Sequence, residues 1–140
     1  GVSDWTLAHR MAETFRATGS VRTLIVHGEG GLDELTTTGP SRIVSLEAGE
    51  ITEIEVDATD FGLARVTDDD LAGGDALANA EISRRVFAGE ASPARDIVVL
   101  NAGAGLVAAG IADDLGAGVE AAAAAIDDGR VAAKVSALQA

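Results

Sequence analysis

Two adjacent carboxylates, Asp33 and Glu34, are the residues of this chain whose type and setting point most directly to chemistry. They follow a short β-branched segment, Leu24, Ile25 and Val26, and three glycines, Gly28, Gly30 and Gly31, within the run VRTLIVHGEGGLDELTTTG from Val21 to Gly39. The apolar segment reads as a buried strand, and the glycines end it by admitting backbone angles that other residues resist. In open α/β sheets, ligands bind in the crevice beyond the carboxyl ends of the strands. Two hard oxygen ligands there suit a Mg²⁺ ion on a phosphorylated substrate, because that cation keeps several waters and takes one or two protein carboxylates. As a bare pattern, an Asp-Glu pair in a Gly-rich loop also fits a solvated turn.

Other chemical signals are weaker. His27 ends the strand, where an imidazole can act as a base or simply satisfy loop backbone groups. His9 sits on a helix, as a surface or core residue. Asp68, Asp69 and Asp70 lack the alternating spacing and distal Glu of a calcium loop, and read as a solvated turn that caps a helix. In NAGAGLVAAG, Gly103, Gly105 and Ala108 satisfy the G-x-G-x-x-[G/A] pattern of a dinucleotide site. That fingerprint belongs on a first βα turn, with an acidic residue roughly 20 positions on that closes a second strand. Here that region is Ala-rich and helical, with Asp127 and Asp128 at its tail. The small residues more simply let a helix and a strand approach closely. No Ser/His/Asp or Cys/His arrangement is recognisable, so no catalytic side chain is assigned.

The elements that would position the carboxylates follow from periodicity. Ser3 or Asp4 caps a first helix whose Leu7, Met11, Thr14 and Phe15 share a face, and Gly19 closes it. Thr23–Val26 is a strand. Arg42–Leu46 and Ile51–Val56 alternate around Glu47-Ala48-Gly49-Glu50 as a hairpin, with Glu50, Glu53 and Glu55 on a charged outer face. Asp57–Gly74 is loop-like with a short turn at Asp68–Leu71. Asp75 caps a helix through Phe87, with Leu77, Ile82, Val86 and Phe87 on its buried side, and Gly89 and Pro93 end it. Asp96–Leu100 reads as a strand, followed by a small-residue helix over Asn101–Ala109. Ala112–Ala140 forms two Ala-rich helices broken at Asp127–Gly129. The expected fold class is α/β. It would be part of a three-layer domain with parallel strands at Thr23–Val26 and Ile97–Leu100, an inserted antiparallel hairpin over Arg42–Val56, and flanking helices.

Composition narrows the function classes. The 140 residues are one domain's worth, 47% hydrophobic but only 3% aromatic, with 17 glycines, so the core must be built from small and aliphatic side chains. No apolar run approaches the roughly 20 residues of a membrane span, and the opening residues lack the basic-then-apolar pattern of a secretory signal. The absence of cysteine excludes disulfides and thiolate metal sites and agrees with a reducing cytoplasm. With 23 acidic against 10 basic residues, the net charge of −13 repels nucleic acid and anionic lipid. It repels phosphorylated substrates too, unless a cation bridges them.

The string HGEGGLDELTTTGP, from His27 to Pro40, closely resembles the second metal-binding segment of the anthranilate phosphoribosyltransferase family, within the glycosyltransferase family 3 and nucleoside phosphorylase superfamily. Arg42–Asp57, DFGLAR (Asp60–Arg65), LAGGDALANA (Leu71–Ala80) and RDIVVLNAGAGL (Arg95–Leu106) resemble that family's carboxyl-terminal portion in the same order. The resemblance implies Mg²⁺ held by Asp33 and Glu34. It also implies transfer of phosphoribose from 5-phosphoribosyl 1-diphosphate to anthranilate, with release of diphosphate, in tryptophan biosynthesis. The family's Gly-Thr-Gly-Gly-Asp phosphoribosyl-diphosphate loop, its Lys-His-Gly-Asn segment and most of its anthranilate contacts lie in its earlier half and do not occur here. The chain opens at GVSDWTL, so the expected partner is the amino-terminal half of the same protein, with a homodimer when complete. The chain alone is expected to be inactive and, in the complete enzyme, cytoplasmic. Two alternatives stand beside this reading: a non-catalytic fragment or assembly unit that needs a partner half, and a pyrimidine nucleoside phosphorylase of the same architecture. GLDEL favours the anthranilate enzyme.

If a partner half supplies neighbouring strands and helices, the chain by itself exposes apolar surface and a bare sheet edge. Expressed alone it should self-associate, and co-expression with the amino-terminal half should bring it into solution. A reversible, monomeric thermal transition of the chain by itself would contradict that dependence.

Overall fold

The computed structural model describes residues 1–138. Helix α1 (Thr6–Ala17) leads into strand β1 (Arg22–Gly28), followed by the hairpin β2 (Pro40–Glu47) and β3 (Glu50–Asp57). Helices α2 (Ala76–Phe87), α3 (Pro93–Ala108), α4 (Leu115–Asp127) and α5 (Arg130–Leu138) complete the order. Single 3₁₀ turns lie at Glu29–Gly31, Ala58–Phe61 and Asp68–Leu71.

The three strands form one sheet in the order β1-β2-β3, antiparallel throughout. Alternation sends successive side chains to opposite faces. Ile25 and its cross-strand partner Val44 pack with Ala8 and Ala12 of α1 on one face. Val26 and its partner Ile43 face the other cluster, which contains Leu35, Val99 and Leu100 of α3 and Val119, Ala122 and Ile126 of α4. The layers are therefore α1, the sheet, and the α3–α4 pair. Ile25, Ile43 and Val44 are at most 2% exposed; each contributes about 1.5–3 kcal/mol relative to an exposed side chain. The hairpin turns at Ala48 and Gly49, whose φ values of 50° and 84° give the left-handed pair that matches strand twist.

The mixture of helices and strands, the hairpin, the turn at Asp68–Leu71 and the break at Asp127–Gly129 agree with the sequence reading; Gln139 and Ala140 of the last expected helix lie outside the described residues. The N-cap of α1 is Trp5, which makes no side-chain capping bond, and not Ser3 or Asp4; Asp4 lies just before it, its Oδ1 accepting from the Thr6 amide at 2.9 Å and the Thr6 hydroxyl at 2.8 Å. The parallel pairing is overturned. Ile97–Leu100 is not a strand but the second turn of α3, and among the described residues no strands pair in parallel. Ser92 Oγ accepts from the Arg95 amide at 3.2 Å, and Pro93 occupies the first turn, so the Ser-Pro pair starts a helix that the β-branched run then continues. Buried Val99 and Leu100 recur at Gly103 and Ala104, which is helical spacing. Pro93 thus opens α3 and does not end α2. Leu77 is 81% exposed and does not join the buried side of α2, which buries Val86.

The small residues of α3 serve a contact between helices, in place of the expected helix–strand contact. A Cβ on Gly103 would lie 2.7 Å from the Val119 amide nitrogen, and one on Gly118 would lie 2.5 Å from the Gly103 carbonyl oxygen. Only glycine at both positions lets α3 and α4 cross this closely. A Cβ on Gly105, two residues on, meets nothing within 4 Å. Among the described residues, no helix is long and apolar enough to cross a membrane.

Gly103→Ala should therefore destabilise the protein by about 1–3 kcal/mol through overpacking, while Gly105→Ala should stabilise it by about 0.5–1 kcal/mol through helix propensity. Thermal or urea unfolding of the two variants checks the opposite signs.

Candidate functional site

Strand β1 ends in a tight reversal. The Gly28 amide donates to the Leu32 carbonyl at 2.8 Å, and Gly30 and Gly31 carry φ values of 76° and 87°. Gly28 is needed for space, since a Cβ there would lie 2.6 Å from the Glu34 carbonyl oxygen. The reversal delivers Asp33 and Glu34 just beyond the carboxyl end of β1, both exposed. Among the described residues, neither carboxylate accepts a hydrogen bond or joins an ion pair.

The next residues turn inward. Leu35, Thr36 and Thr37 are at most 1% exposed, although they lie outside any strand or helix. Several of their backbone groups find partners elsewhere, while the buried Thr37 hydroxyl has none among the described residues. The Leu35 amide donates to Asn101 Oδ1 at 2.9 Å and its carbonyl accepts from Asn101 Nδ2 at 2.8 Å. The Thr36 amide donates to Ser41 Oγ at 3.0 Å, and the Thr37 carbonyl accepts from the Val66 amide at 3.1 Å. The Thr38 amide donates to Thr36 Oγ1 at 3.1 Å, and its carbonyl accepts from Arg65 Nη1 at 3.3 Å.

This segment forms one wall of a groove of about 610 Å³. Glu29, Glu34 and Asp68 bring carboxylates to it, Thr36 and Thr38 bring hydroxyls, and Leu71 with Ala94, Ile97 and Val98 of α3 makes the apolar side. Asp33 stands next to the groove and does not line it. Sequence reasoning missed Glu29 and Asp68 as groove residues, and only the fold joins them to Glu34. It missed Asn101 too, for which the one available signal was an amide inside an apolar helix.

Other candidates resolve to structural roles. His27 Nδ1 donates to the Val2 carbonyl at 2.8 Å, with its ring 5.8 Å from that of Trp5, so it satisfies loop backbone. His9 Nε2 lies 3.0 Å from Glu53 on the exposed side of α1. Gly103, Gly105 and Ala108 are within α3, away from any strand-to-helix turn, so no phosphate cradle forms. Asp70 caps its own turn, taking the Thr67 amide at 2.9 Å and hydroxyl at 2.7 Å, and these bonds hold its carboxyl below the ordinary range. The Asp127–Asp128 pair faces arginines, Asp127 on Arg95 at 2.8 Å and Asp128 on Arg130 at 2.7 Å.

Asp57 closes the far end of the groove's support. The Thr59 amide and hydroxyl, and then Arg65, hold its carboxyl below the ordinary 3.8. Arg65 pairs with Asp57 while also holding the Thr38 carbonyl. Burial pushes the Asp96 carboxyl the other way, upward, against the pull of Arg95.

The donor set suits Mg²⁺. Among the described residues, no three His, Asp or Glu side chains lie close enough together to hold an ion without further ligands. Two hard, unpaired carboxylates beside a groove with room for phosphates are the donor set that Mg²⁺ takes when substrate oxygens and water fill its octahedron.

With geometry in hand, the likeness to other proteins is informative. The family model described as glycosyl transferase family, a/b domain, matches residues 1–132. An anthranilate phosphoribosyltransferase of Methylocella silvestris is 49% identical over 128 residues, 91% of this chain and 37% of that protein. That of Syntrophotalea carbinolica is 45% identical over 138 residues, 99% of this chain and 39% of that protein. The chain thus spans about two fifths of these relatives' length. The crystal structure of the Thermus thermophilus enzyme of that name superposes with a TM-score of 0.83 at 36% identity, over 94% of this chain and 38% of that one. The Saccharomyces cerevisiae enzyme, in complex with PRPP and Mg, shares the fold with a TM-score of 0.83 at 22% identity, over 94% of this chain and 38% of that one.

The lowered carboxyl of Asp57 has a defined sign. Its contribution to stability is present above the unfolded value of 3.8 and is lost as pH falls through the lower folded value. Asp57→Asn should flatten the acid limb of a plot of melting temperature against pH below about pH 4. An unchanged acid limb would show that the bonds which Asp57 accepts from Thr59, with Arg65 beside them, do not contribute to stability.

Proposed function

Because this chain belongs to the glycosyl transferase family, as its a/b domain, we propose that it is the carboxyl-terminal part of a Mg²⁺-dependent anthranilate phosphoribosyltransferase. The observation that carries the reading is the pair Asp33–Glu34, unpaired and exposed beyond β1, with Glu34 lining the groove and Asp33 next to it. The relatives at 45–49% identity are enzymes of that name. The complete protein would act in the cytoplasm on 5-phosphoribosyl 1-diphosphate and anthranilate. The part of the relatives' length outside this chain would supply the phosphoribosyl-diphosphate loop and most anthranilate contacts.

In the reaction, the bond from the ribose carbon to diphosphate breaks, a bond to the anthranilate nitrogen forms, and that nitrogen loses a proton. Asp33 and Glu34 would hold the ion. A bound Mg²⁺ supplies charge neutralisation on the diphosphate as the glycosidic bond weakens. Glu29, Glu34 and Asp68 together make the groove repel a bare polyanion, so it admits phosphate only as a metal complex. Thr36 and Thr38 offer hydroxyls at the same wall, already 2.9 Å from each other. Ala94, Ile97 and Val98 of α3 give the other wall an apolar surface.

Asp33→Asn combined with Glu34→Gln, made in the full-length protein, tests this reading. Each change keeps shape and removes one charge, so the fold should persist. Turnover at limiting Mg²⁺ should fall on the order of a hundredfold or more, a loss of several kcal/mol of transition-state stabilisation. The KM for anthranilate should change less. Glu120→Gln, on the exposed side of α4, is the control and should be neutral. Full turnover of the double variant at limiting Mg²⁺ would remove the metal assignment.

A further inference from the structure

Resting on that reading of Asp33 and Glu34, we infer that Asn101 is a positioning residue, which fixes the carboxylate pair by clamping both backbone groups of Leu35. The Leu35 amide and carbonyl lie one residue after Glu34, in a buried segment that no strand pairs with. A primary amide presents an acceptor and a donor at the spacing of a peptide group, so one asparagine can stand in for a neighbouring strand. Asn101 does this, with Oδ1 at 2.9 Å from the Leu35 nitrogen and Nδ2 at 2.8 Å from the Leu35 oxygen.

The clamp itself is fixed. The second hydrogen of Asn101 Nδ2 goes to the Ile97 carbonyl, one turn earlier in α3, at 3.0 Å, and this bond sets which end of the amide is nitrogen. Ile97 also lines the groove, so the helix turn that carries the clamp is the one that forms the apolar wall. Two residues beyond Asn101, Gly103 abuts Gly118 of α4, which leaves α3 no room to slide. On the other side, the Glu34 carbonyl oxygen approaches Gly28 so closely that a Cβ there would not fit. Glu34 is thus set between a glycine that admits its backbone and an asparagine that holds the next peptide. Ligand-orienting partners of this kind change metal affinity about 10–100-fold when removed.

The test uses Asn101→Ala in the full-length protein, with Asn101→Leu carried through the same measurements because it keeps the volume if the alanine variant fails to fold. Hydrogen exchange at the Leu35 amide should quicken while the amides of α3 keep their protection. The Mg²⁺ concentration for half-maximal activity should rise about tenfold, and Mn²⁺ binding read by electron paramagnetic resonance with phosphoribosyl diphosphate present should weaken by a similar factor. The kcat at saturating Mg²⁺ should stay within about twofold, since the ion, once bound, acts as before. In the background of Asp33→Asn with Glu34→Gln, Asn101→Ala should shift Mn²⁺ binding no further. An unchanged Leu35 exchange rate overturns the clamp. A metal requirement shifted by the carboxylate changes but not by Asn101→Ala overturns the positioning role while the metal reading stands. If neither change shifts it, both fall. An additive effect in the carboxylate-free background shows a structural role only, and also overturns the inference.

Discussion

Buried backbone must be hydrogen-bonded, and in this chain that requirement falls hardest on Leu35–Thr38. Leu35, Thr36 and Thr37 have left the sheet, enter no helix, and are nevertheless among the most buried in the molecule, with Thr38 half-buried beside them. An unsatisfied buried amide or carbonyl costs about 1–3 kcal/mol, so three consecutive buried peptides without partners would offset much of an ordinary domain's stability of about 5–15 kcal/mol. Their partners come from β2 (Ser41), the loop before α2 (Arg65 and Val66) and α3 (Asn101). The segment is therefore where three distant parts of the sequence are tied together. The groove takes its shape from those ties, because Thr36 and Thr38 on one side and Ile97 on the other are neighbours of the bonded groups.

The α3–α4 contact makes this possible. Residues two apart in a helix point about 200° away from each other, so Asn101 and Gly103 face opposite sides of α3. One side must reach the loop and the other must lie flat on α4. Gly103 and Gly118 bring the helix axes close enough for Val99, Leu100, Val119 and Ala122 to share one cluster. A larger residue at either glycine would displace α3 toward or away from the sheet and carry Asn101 with it. Small side chains, which look like an absence of information in composition, here decide where a polar group is held. With only 3% aromatic residues, the chain obtains its packing from proximity and not from large side chains.

What was legible in the sequence was local. Ala48-Gly49 specifies its turn, Asp75 caps its helix, and Gly129 breaks α4 from α5, because each acts on backbone within a few residues. The place of Asp33 and Glu34 just after a strand was legible too, because the apolar run Leu24–Val26 and the glycines that end it are local signals. The segment Ile97–Leu100 was not, because a short apolar β-branched run fits a buried strand and a buried helix equally. The deciding signal was the Ser92-Pro93 start, which reads as a stop for α2 until Ser92 is seen capping the following helix. Asp68 and Asn101 could not be placed, since Asp68 shares the groove with Glu34, 34 residues away, and Asn101 bonds Leu35, 66 residues away; Glu29 joins Glu34 there only through the geometry of the turn between them. Those contacts follow from tertiary packing, and no spacing rule encodes them.

Charge completes the argument. Seven arginines of the described chain are engaged in ion pairs with neighbouring carboxylates, Arg42 lies over Trp5 at 4.2 Å, and no basic residue lines the groove. A phosphate-binding surface built only from protein would need the reverse, with guanidinium or ammonium groups turned inward. A wall of carboxylates and hydroxyls, facing an apolar helix, instead suits the side of a site that holds the cation. The anion would then be gripped chiefly from the opposite side. On the proposed reading, that division would let an acidic domain take part in phosphoryl-sugar chemistry, and the way Asn101 holds Leu35, more than the number of charges, would set how firmly the carboxylate pair is placed.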